Sequence, residues 1–409
     1  MKPRAWFVPL ALLILAGTLL RVSWLVSLGL AVSFVLGSAY WWQRQVLRNI
    51  TYHRALTYTR GFPGETSTLR ITVENQKRLP VSWLRVRDLW PLSIRVEPAE
   101  AIAPSHIAAH GYLTNTYHLL GFRRITRKFT LQFGPRGLYT LGPLTLESGD
   151  PFGLFERHEE REMPGALAVF PELLPRTALG LVSEDPFGDR QARRRLFEDP
   201  NLTIGVRPYY PEDTFRQIHW PATARTGQLQ TRIYQPIASQ VMVLCLNVTT
   251  SEHPWLGTMP EVLEQIIRVA ASLCYYGIED GYAVGLVANG GMALSDQPFQ
   301  IRPGRTIEHL AWLLQSLAGV TPVITVPFER FLTQVVPRIP MGATLVVLTA
   351  LVNESLLESL SLLHQYRHQL VLIAISETPP PSLPGTKVIH ILPSTLSAQG
   401  STPRESYAQ

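Results

Sequence analysis

The sequence predicts a multidomain protein with three structural parts: an N-terminal transmembrane helical hairpin, an all-β sandwich-like middle domain, and a C-terminal α/β domain with a doubly wound parallel sheet. Three observations lead to this prediction. Two apolar runs follow one another at the N-terminus, short segments of alternating hydrophobicity fill the middle, and continuous apolar strands alternate with amphipathic helices toward the C-terminus. These patterns are typical of membrane helices, half-buried strands and parallel sheets, respectively.

The composition allows two or three domains with large cores. The chain has 409 residues, of which 46% are hydrophobic. Its net charge is +6 and its pI is about 9.4. Because the basic residues are scattered, apart from the run Arg190–Arg195, we predict that this run is a solvated linker and that nucleic acid is not a partner.

The two cysteines, Cys245 and Cys274, each lie inside an apolar run. We predict that both are buried thiols that pack as small apolar side chains. Two cysteines exclude a disulfide framework for most of the chain, and they cannot form a structural zinc site unless histidines complete it. This use of cysteine is consistent with a reducing compartment.

Two apolar runs predict a transmembrane hairpin over residues 1–45. The first run is Ala5–Leu20, the second is Val22–Trp42, and only Arg21 separates them. About 20 apolar residues are needed to cross a bilayer, so the second run is long enough and the first is slightly short. We expect a tight turn at Arg21 and interfacial anchoring by three aromatic residues at the end of the second run, Tyr40, Trp41 and Trp42.

The charges around the runs predict that both ends of the hairpin are cytoplasmic. The turn carries only Arg21, whereas basic residues flank the outer ends of the runs at Lys2, Arg4, Arg44, Arg48 and Arg54. By the positive-inside rule, this is a two-span cell-membrane protein with cytoplasmic soluble domains. A cleaved signal peptide followed by one span is the alternative, because basic residues also precede the apolar region of signal peptides.

Residues 46–170 predict the β-sandwich-like domain. Apolar and polar residues alternate in several short segments, for example at Leu69, Ile71 and Val73. Alternation of this kind is typical of half-buried strands, and regularly spaced short strands favour a β-sandwich. Near the end of the domain, Asp150-Pro151 predicts a tight turn. We expect the apolar residues of that turn to form a plug that tucks into the next layer, namely Phe152, Leu154 and Phe155.

Residues 171–240 form a predicted connecting segment, and residues 241–396 form the predicted α/β domain. Val241–Val248 is a continuous apolar run, as expected for a strand buried on both faces of a parallel sheet. Pro260–Tyr276 is the first of several amphipathic helices that alternate with strands. No glycine-rich phosphate loop follows the first strand, so neither a nucleotide site nor another cofactor is predicted. Residues 397–409 are polar, and we predict a disordered tail.

Two long motifs resemble the bacterial domain-of-unknown-function 58 family. The first is VRPYYPEDTFRQIHWPATARTGQLQTRIYQP, which starts at Val206, and the second is RGLYTLGPLTLESGDPFGLFE, which starts at Arg136. The resemblance covers nearly the full chain. It implies a membrane-anchored protein whose C-terminal domain is similar to a von Willebrand factor type A domain. It also implies a partner, because the genes of family members commonly lie next to genes for MoxR-type AAA ATPases.

The chain departs from the patterns that this resemblance implies. It has Glu212-Asp213 in place of Gly-Asp, and His219 in place of an aspartate before Trp220. The type A metal site would use Asp-x-Ser-x-Ser after the first strand, but the matching positions here are Asn247, Thr249 and Ser251. A later strand ends at Thr349-Ala350 where an aspartate is common. Since Mg²⁺ is held mainly by carboxylate oxygens, we predict that this degenerate site binds no metal.

The first motif is interpreted as a structural clasp at a domain boundary. The proposed clasp residues are Arg207, Tyr209, Asp213, Arg216, His219, Trp220 and Arg225. We expect Trp220 to anchor in a core, and Arg216 and Arg225 to bridge Asp213 and backbone carbonyls with their planar guanidinium groups. No residue is assigned a catalytic role, because no nucleophile or metal-ligand spacing accompanies the acids and the histidine.

Two classes of function follow from these observations. The first is a non-enzymatic, membrane-anchored cytosolic interaction module, an adaptor or assembly factor that works with a MoxR-type AAA ATPase. Its partners would be the lipid bilayer, that ATPase and other membrane proteins. The alternative is a membrane-associated hydrolase with a site near Asp213 and His219, in which the histidine would act as a general base.

Overall fold

The structure is a computed structural model, and it describes residues 4–180, 198–211, 213, 215–236, 241–251, 257–293, 295, 297–366 and 368–398. The basic run Arg190–Arg195, Glu212 and residues 399–409 lie outside the described residues, as does the side chain of Arg216. The chain divides into two compact units, Met1–Phe170 and Pro171–Gln409. Each unit is described by itself.

The first unit begins with a helical hairpin. Helices α1 (Arg4–Leu19) and α2 (Ser23–Val46) pack against each other, and Arg21 forms the turn in a left-handed conformation (φ 51°). A Cβ atom on Gly29 would lie 2.6 Å from the Cγ1 atom of Ile14, so only glycine allows the helices to approach this closely. Among the described residues, α2 is the one helix long and apolar enough to cross a membrane, and α1 contains a shorter apolar stretch.

The β-domain follows directly, and its sheets enclose one apolar core. A four-stranded sheet has the order β1-β3-β8-β5 and a five-stranded sheet has the order β11-β10-β4-β7-β6; a third, smaller sheet has the order β2-β12-β9. The predicted inward face of β3 is confirmed, because Leu69, Ile71 and Val73 are all buried. The strands are β1 (Ile50–Leu56), β2 (Arg60–Gly61), β3 (Thr66–Asn75), β4 (Val81–Pro91), β5 (Arg95–Glu97), β6 (Ile102–Pro104), β7 (His110–Leu119), β8 (Arg124–Gln132), β9 (Gly137–Leu141), β10 (Leu144–Gly149), β11 (Glu156–Arg161) and β12 (Gly165–Val169).

The end of α2 is part of the β-domain. Val46 and Leu47 belong to its buried core, and Trp42 packs against that core. Trp42 therefore differs from the expected interfacial anchor, whereas Trp41 is 56% exposed. Cationic side chains of the β-domain cap the helix: Lys77 Nζ donates to the carbonyl oxygen of Val46 at 2.7 Å, and Arg161 donates to that of Leu47 at 3.3 Å. Cations at a helix C-terminus are stabilising, because the macrodipole is negative there.

The turn between β10 and β11 does not form the expected apolar plug. Phe152 is 61% exposed and Leu154 is 50% exposed, and only Phe155 is half-buried. The buried side chain of Asp150 decides this conformation. Its carboxylate accepts hydrogen bonds from the backbone N–H groups of Phe152 at 2.8 Å and Phe155 at 2.6 Å, which hold the turn outside the core.

The C-terminal unit contains a six-stranded sheet with the order β18-β16-β15-β20-β21-β22. Five strands are parallel, and β18 is an antiparallel edge. The predicted parallel sheet is therefore confirmed. Its strands are β15 (Val241–Leu246), β16 (Ala283–Ala288), β18 (Phe299–Gly304), β20 (Thr344–Thr349), β21 (Gln369–Ile375) and β22 (Thr386–Ile391), and a separate pair is β17 (Gly290–Met292) with β19 (Val320–Ile324).

Helices cover both faces of this sheet. On one face, α4 (Pro260–Glu279) packs so closely that a Cβ atom on Gly277 would lie 2.3 Å from the Cε atom of Met242 in β15. On the other face, apolar residues of α6 (Phe328–Val335) and α7 (Glu354–Leu363) share a core with Val243 and Cys245. The helices are α4 (Pro260–Glu279), α5 (Ile307–Ala318), α6 (Phe328–Val335), α7 (Glu354–Leu363) and α8 (Pro393–Ala398).

The predicted buried thiols are confirmed. Cys245 and Cys274 are fully buried and free. Burial raises the pKa of the Cys245 thiol to about 12 and also raises the pKa of Cys274. Both groups therefore stay protonated at neutral pH.

Candidate functional site

An antiparallel hairpin of the C-terminal unit carries the first family motif. It consists of β13 (Glu198–Pro208) and β14 (Gln230–Pro236), with a short 3₁₀ helix (Phe215–Gln217) and α3 (Trp220–Thr226) inserted between the strands. The insert is tied back to the hairpin, because the backbone N–H of His219 donates to the carbonyl oxygen of Gln230 at 2.7 Å. The segment predicted as a connector is therefore a folded element with its own strand pairing.

An ion pair between Arg207 and Asp213 organises the start of the insert. The two guanidinium NH groups of Arg207 donate to the two carboxylate oxygens of Asp213 at 2.7 and 2.6 Å. The backbone N–H of Tyr210 and the hydroxyl of Thr231 donate to the same carboxylate at 2.9 and 3.2 Å. Bidentate contacts of this kind are geometrically specific, so they hold the insert in one orientation.

The arginine that contacts Asp213 in the structure is not one of those that the sequence predicted. The expected bridging residues were Arg216 and Arg225, but Arg225 lies exposed in the last turn of α3. Arg207 takes the role because it sits on β13 opposite Thr231 of β14. This strand register places Arg207 next to Thr231, whose hydroxyl contacts the same Asp213 carboxylate. Separation along the sequence alone does not reveal this proximity.

His219 and Trp220 also differ from their expected roles. The Nδ1 atom of His219 accepts a hydrogen bond from the backbone N–H of Ala222 at 3.0 Å, so this side chain caps α3. Trp220 is 63% exposed and anchors in no core, because α3 has no buried residue. Asp213 and the Nδ1 atom of His219 thus have different hydrogen-bond partners.

The insert instead presents exposed aromatic rings. Tyr210 is 58% exposed and Phe215 is 74% exposed. Phe215 stacks on Tyr209 with ring centroids 5.9 Å apart, and the Arg207 guanidinium group lies 5.2 Å from the centroid of the Tyr210 ring. We call Tyr209, Tyr210, Phe215 and Trp220 the aromatic insert. Sequence reasoning missed its exposure, although the lack of a two- or 3.6-residue apolar period in this stretch was an available signal.

The stability that Asp213 contributes is expected to depend on pH. Its hydrogen bonds, first to Arg207 and then to the Tyr210 backbone, lower the pKa of Asp213 from 3.8 to about 2. A lowered pKa in the folded state means that the contribution is complete above about pH 4 and is lost as the pH falls toward 2. We therefore expect the difference in Tm between the wild type and Asp213→Asn to be largest above pH 4 and to narrow below it. A constant difference across this range, measured by differential scanning fluorimetry, would contradict the assignment.

A second candidate site lies at the carboxyl end of the parallel sheet. Asn247 Nδ2 donates to the Thr349 hydroxyl at 3.0 Å, and Asn247 Oδ1 accepts from the backbone N–H of Thr249 at 3.0 Å. Asn289, which follows β16, accepts from the backbone N–H of Val248 at 2.9 Å and donates to the Thr249 hydroxyl at 3.5 Å. The structure thus brings the predicted positions together and adds Asn289; Ser251 lies half-buried two residues beyond Thr249.

The residues of this network are uncharged, and they suit hydrogen bonding to one another and to the backbone at the end of the sheet better than binding a metal ion. The amide and hydroxyl groups bond to one another, and the Thr349 hydroxyl also donates to the carbonyl oxygen of Leu351 at 2.8 Å. Within the described part of the chain, no group of three or more His, Cys, Asp or Glu residues could hold a metal ion. The set therefore lacks the carboxylate oxygens that Mg²⁺ prefers.

We expect calorimetric titration of the purified full-length protein with Mg²⁺ to show no micromolar binding. The physical reason is that the candidate ligands are uncharged and already hydrogen-bonded to each other. The Thr249→Ala variant should give the same trace as the wild type. Micromolar binding that disappears in this variant would show that a metal site survives.

Comparisons with known proteins find a matching family and a distant relative. Residues 205–394 match the family described as "Protein of unknown function DUF58". The uncharacterized protein YeaD of Bacillus subtilis (strain 168) is 22% identical over 300 residues, which are 70% of this chain and 66% of YeaD. This chain therefore spans about two thirds of the length of that relative.

Two solved structures that resemble part of this chain are too dissimilar to identify its fold. One is the CARDB domain of the PF1109 protein from Pyrococcus furiosus, with 14% identity, a TM-score of 0.20, and coverage of 29% of this chain and 91% of that chain. Another is the sporulation control protein Spo0M from Bacillus subtilis, with 11% identity, a TM-score of 0.18, and coverage of 30% and 50%. TM-scores this low do not indicate a shared fold.

Proposed function

Because residues 205–394 of this chain belong to the DUF58 family, whose function is unknown, we propose that the protein is a membrane-anchored interaction module that presents its aromatic insert to a MoxR-type AAA ATPase. The single observation that carries this proposal is the exposure of Tyr210, Phe215 and Trp220 around the Arg207–Asp213 ion pair. Tryptophan, tyrosine and arginine dominate the energetics of protein interfaces, so this set suits a binding surface.

The rigidity of the insert supports the same role. The ion pair, the stacked rings of Tyr209 and Phe215, and the histidine cap of α3 hold the surface before a partner arrives. A preorganised surface loses less conformational entropy on binding, and its contacts therefore contribute more to affinity. The choice of a MoxR-type ATPase as the partner, and of a von Willebrand factor type A-like fold for the C-terminal domain, comes from the family resemblance.

Membrane anchoring is supported by α2, which is 24 residues long. From Trp42 onward the helix packs against the β-domain core. The part before it, residues 23–41, measures roughly 28 Å, close to the hydrocarbon core of roughly 30 Å. We propose that α1 crosses as well and that the soluble domains are cytoplasmic, since Arg44 and Arg48 flank the end of α2. Protection of the C-terminus from protease in sealed spheroplasts is the result expected for a cytoplasmic location, and its digestion there would refute this orientation.

The binding proposal predicts a specific loss of affinity. Phe215→Ala and Trp220→Ala should each weaken binding of a MoxR-type ATPase to the full-length protein about 30-fold, the loss that corresponds to about 2 kcal/mol at an interface hot spot. Trp312→Ala on α5 is the matched control, because Trp312 is 54% exposed outside the insert. Surface plasmon resonance with the detergent-solubilised chain would measure the affinities.

Three results would count against the binding proposal. Unchanged affinity in both insert variants would remove the surface from the interface, and failure of the wild type to bind would remove the partner. Consumption of a substrate by the purified protein, abolished in Asp213→Asn, would favour the hydrolase alternative. The arrangement of Asp213 and His219 speaks against that last outcome, because each is held by other groups.

A further inference from the structure

Several turns of the β-domain lie at the end where α2 enters. β1 begins there with Ile50, which pairs with Asn75 at the end of β3. The next turn contains Lys77, whose Nζ donates to the carbonyl oxygens of Val46, the last residue of α2, and of Arg48 just beyond it. The turn between β7 and β8 lies beside it, because the backbone N–H of Phe122 donates to the carbonyl oxygen of Lys77 at 3.1 Å.

The turn between β10 and β11 reaches along the helix itself. The ring of Phe155 lies 6.0 Å from that of Tyr40, centroid to centroid, and Arg157 donates to the carbonyl oxygen of Arg44 at 2.9 Å. Tyr40 precedes the end of α2 at Val46 by six residues. At a rise of 1.5 Å per residue, this turn therefore lies about 9 Å back along the helix, at the depth of its terminal aromatic residues.

Both turns, one next to Lys77 at the end of α2 and one against Tyr40, expose large apolar side chains. Leu120 is 65% exposed and Phe122 is 66% exposed, in addition to Phe152 at 61% and Leu154 at 50%. Exposed apolar side chains alone do not distinguish this end of the domain as a binding surface, because Tyr58 and other apolar residues are also exposed at the opposite end. The distinguishing feature is position. If α2 crosses a bilayer, the turn that contacts Tyr40 lies in the interfacial layer, where phenylalanine and leucine are favourable.

Charge at the same end complements an anionic surface. Arg44, Arg48, Arg78 and Arg123 are all exposed there. The acids nearby are fewer: Glu74 pairs with Arg124 at 3.0 Å, Asp150 is buried within its own turn, and Glu156 is exposed. Cationic groups flanking a membrane helix attract the anionic headgroups of phospholipids.

We propose that the β-domain rests on the bilayer through a lipid-binding surface made of these two turns and the flanking arginines. Leu120, Phe122, Phe152 and Leu154 insert into the headgroup layer, and Arg78 and Arg123 bind the phosphates of anionic phospholipids. The inference rests on the membrane anchoring proposed above. It adds a second, peripheral contact that fixes the orientation of the β-domain, since α2 joins this domain without a linker.

The test uses the full-length protein in lipid nanodiscs with single introduced cysteines. Phe122→Cys and Phe152→Cys report on the surface, and Tyr58→Cys and Leu92→Cys are matched controls at the opposite end, roughly 25 Å away along the strands. Each variant carries an environment-sensitive fluorophore. The native cysteines are fully buried, and unmodified protein treated with the same reagent gives the background. The readout is quenching by lipids with a spin label near the headgroup.

We expect quenching at positions 122 and 152 to exceed that at positions 58 and 92 at least about twofold, with a blue-shifted emission. Quenching should increase further when phosphatidylglycerol replaces part of the phosphatidylcholine, and the Arg78→Gln/Arg123→Gln double variant should remove that increase. If all four positions behave alike in protein that has incorporated into nanodiscs, the lipid-binding surface is wrong while membrane anchoring stands. If the protein does not incorporate, both proposals fail. Equal quenching in the two lipid mixtures overturns the role of the arginines.

Discussion

Replacing Asp88 with alanine is expected to lower the free energy of unfolding by about 3–5 kcal/mol, because it leaves a buried arginine without its counter-charge. Arg54 and Asp88 form an ion pair at 2.7 Å, with side chains only 6% and 1% exposed. The Tyr52 hydroxyl donates to the same carboxylate at 2.9 Å, and Arg54 also donates to the carbonyl oxygen of Met163 at 2.6 Å. The pair thereby links β1, β4 and the segment before β12.

The electrostatics of the pair explain why one-sided removal is costly. Burial raises the pKa of Asp88, while the charge of Arg54 and the hydrogen bond from Tyr52 oppose that shift. Neither charge is stable in this core alone. The Arg54→Met/Asp88→Leu double variant should therefore be less destabilised than Asp88→Ala, because an apolar pair of similar volume carries no desolvation cost.

Urea denaturation in detergent, followed by tryptophan fluorescence, would measure these free energies. Glu74→Ala is the control, because it removes one partner of an exposed ion pair with Arg124 and should cost no more than about 1 kcal/mol. A loss below about 1 kcal/mol for Asp88→Ala would mean that the Arg54 charge is solvated in the folded state.

Replacing Asn289 with alanine is expected to destabilise the C-terminal unit by about 2–6 kcal/mol. The side chain is fully buried, accepts from the backbone N–H of Val248 at 2.9 Å and donates to the carbonyl oxygen of Val326 at 3.2 Å. Alanine leaves both backbone groups without these partners, and each unsatisfied buried group costs about 1–3 kcal/mol.

Two further variants sharpen the Asn289 prediction. Asn289→Asp retains an acceptor for the Val248 N–H but offers no donor to Val326, and it should also be destabilised because it buries a charge. Gln300→Ala on the exposed side of β18 removes an amide from the same sheet and should change stability by less than about 0.5 kcal/mol. Thermal denaturation of each variant would check the order. An Asn289→Ala variant as stable as Gln300→Ala would show that water replaces the lost contacts.

The sequence identified most residues of the candidate sites but not the contacts between them. The family motif singled out Arg207, Asp213 and His219, which the structure places in one hairpin with its insert. It did not identify the partner of Asp213, because several arginines are near in sequence and the pairing of β13 with β14 selects one of them. It also missed Asn289, which lies far along the chain from Asn247 and joins the network only through the parallel register of β15 and β16.

The sequence by itself determined the apolar helix α2, the inward face of β3, the alternation of strands and helices that forms the parallel sheet, and the burial of Cys245 and Cys274. These features follow from local hydrophobic periodicity, which burial enforces wherever the segment packs. Only the tertiary structure decided that Trp220, Phe152 and Leu154 face outward. An apolar side chain is buried only if long-range packing brings another surface against it. Hydrogen bonds to the Asp150 carboxylate hold the turn with Phe152 and Leu154 outside the core, and the helix α3 that carries Trp220 has no buried residue.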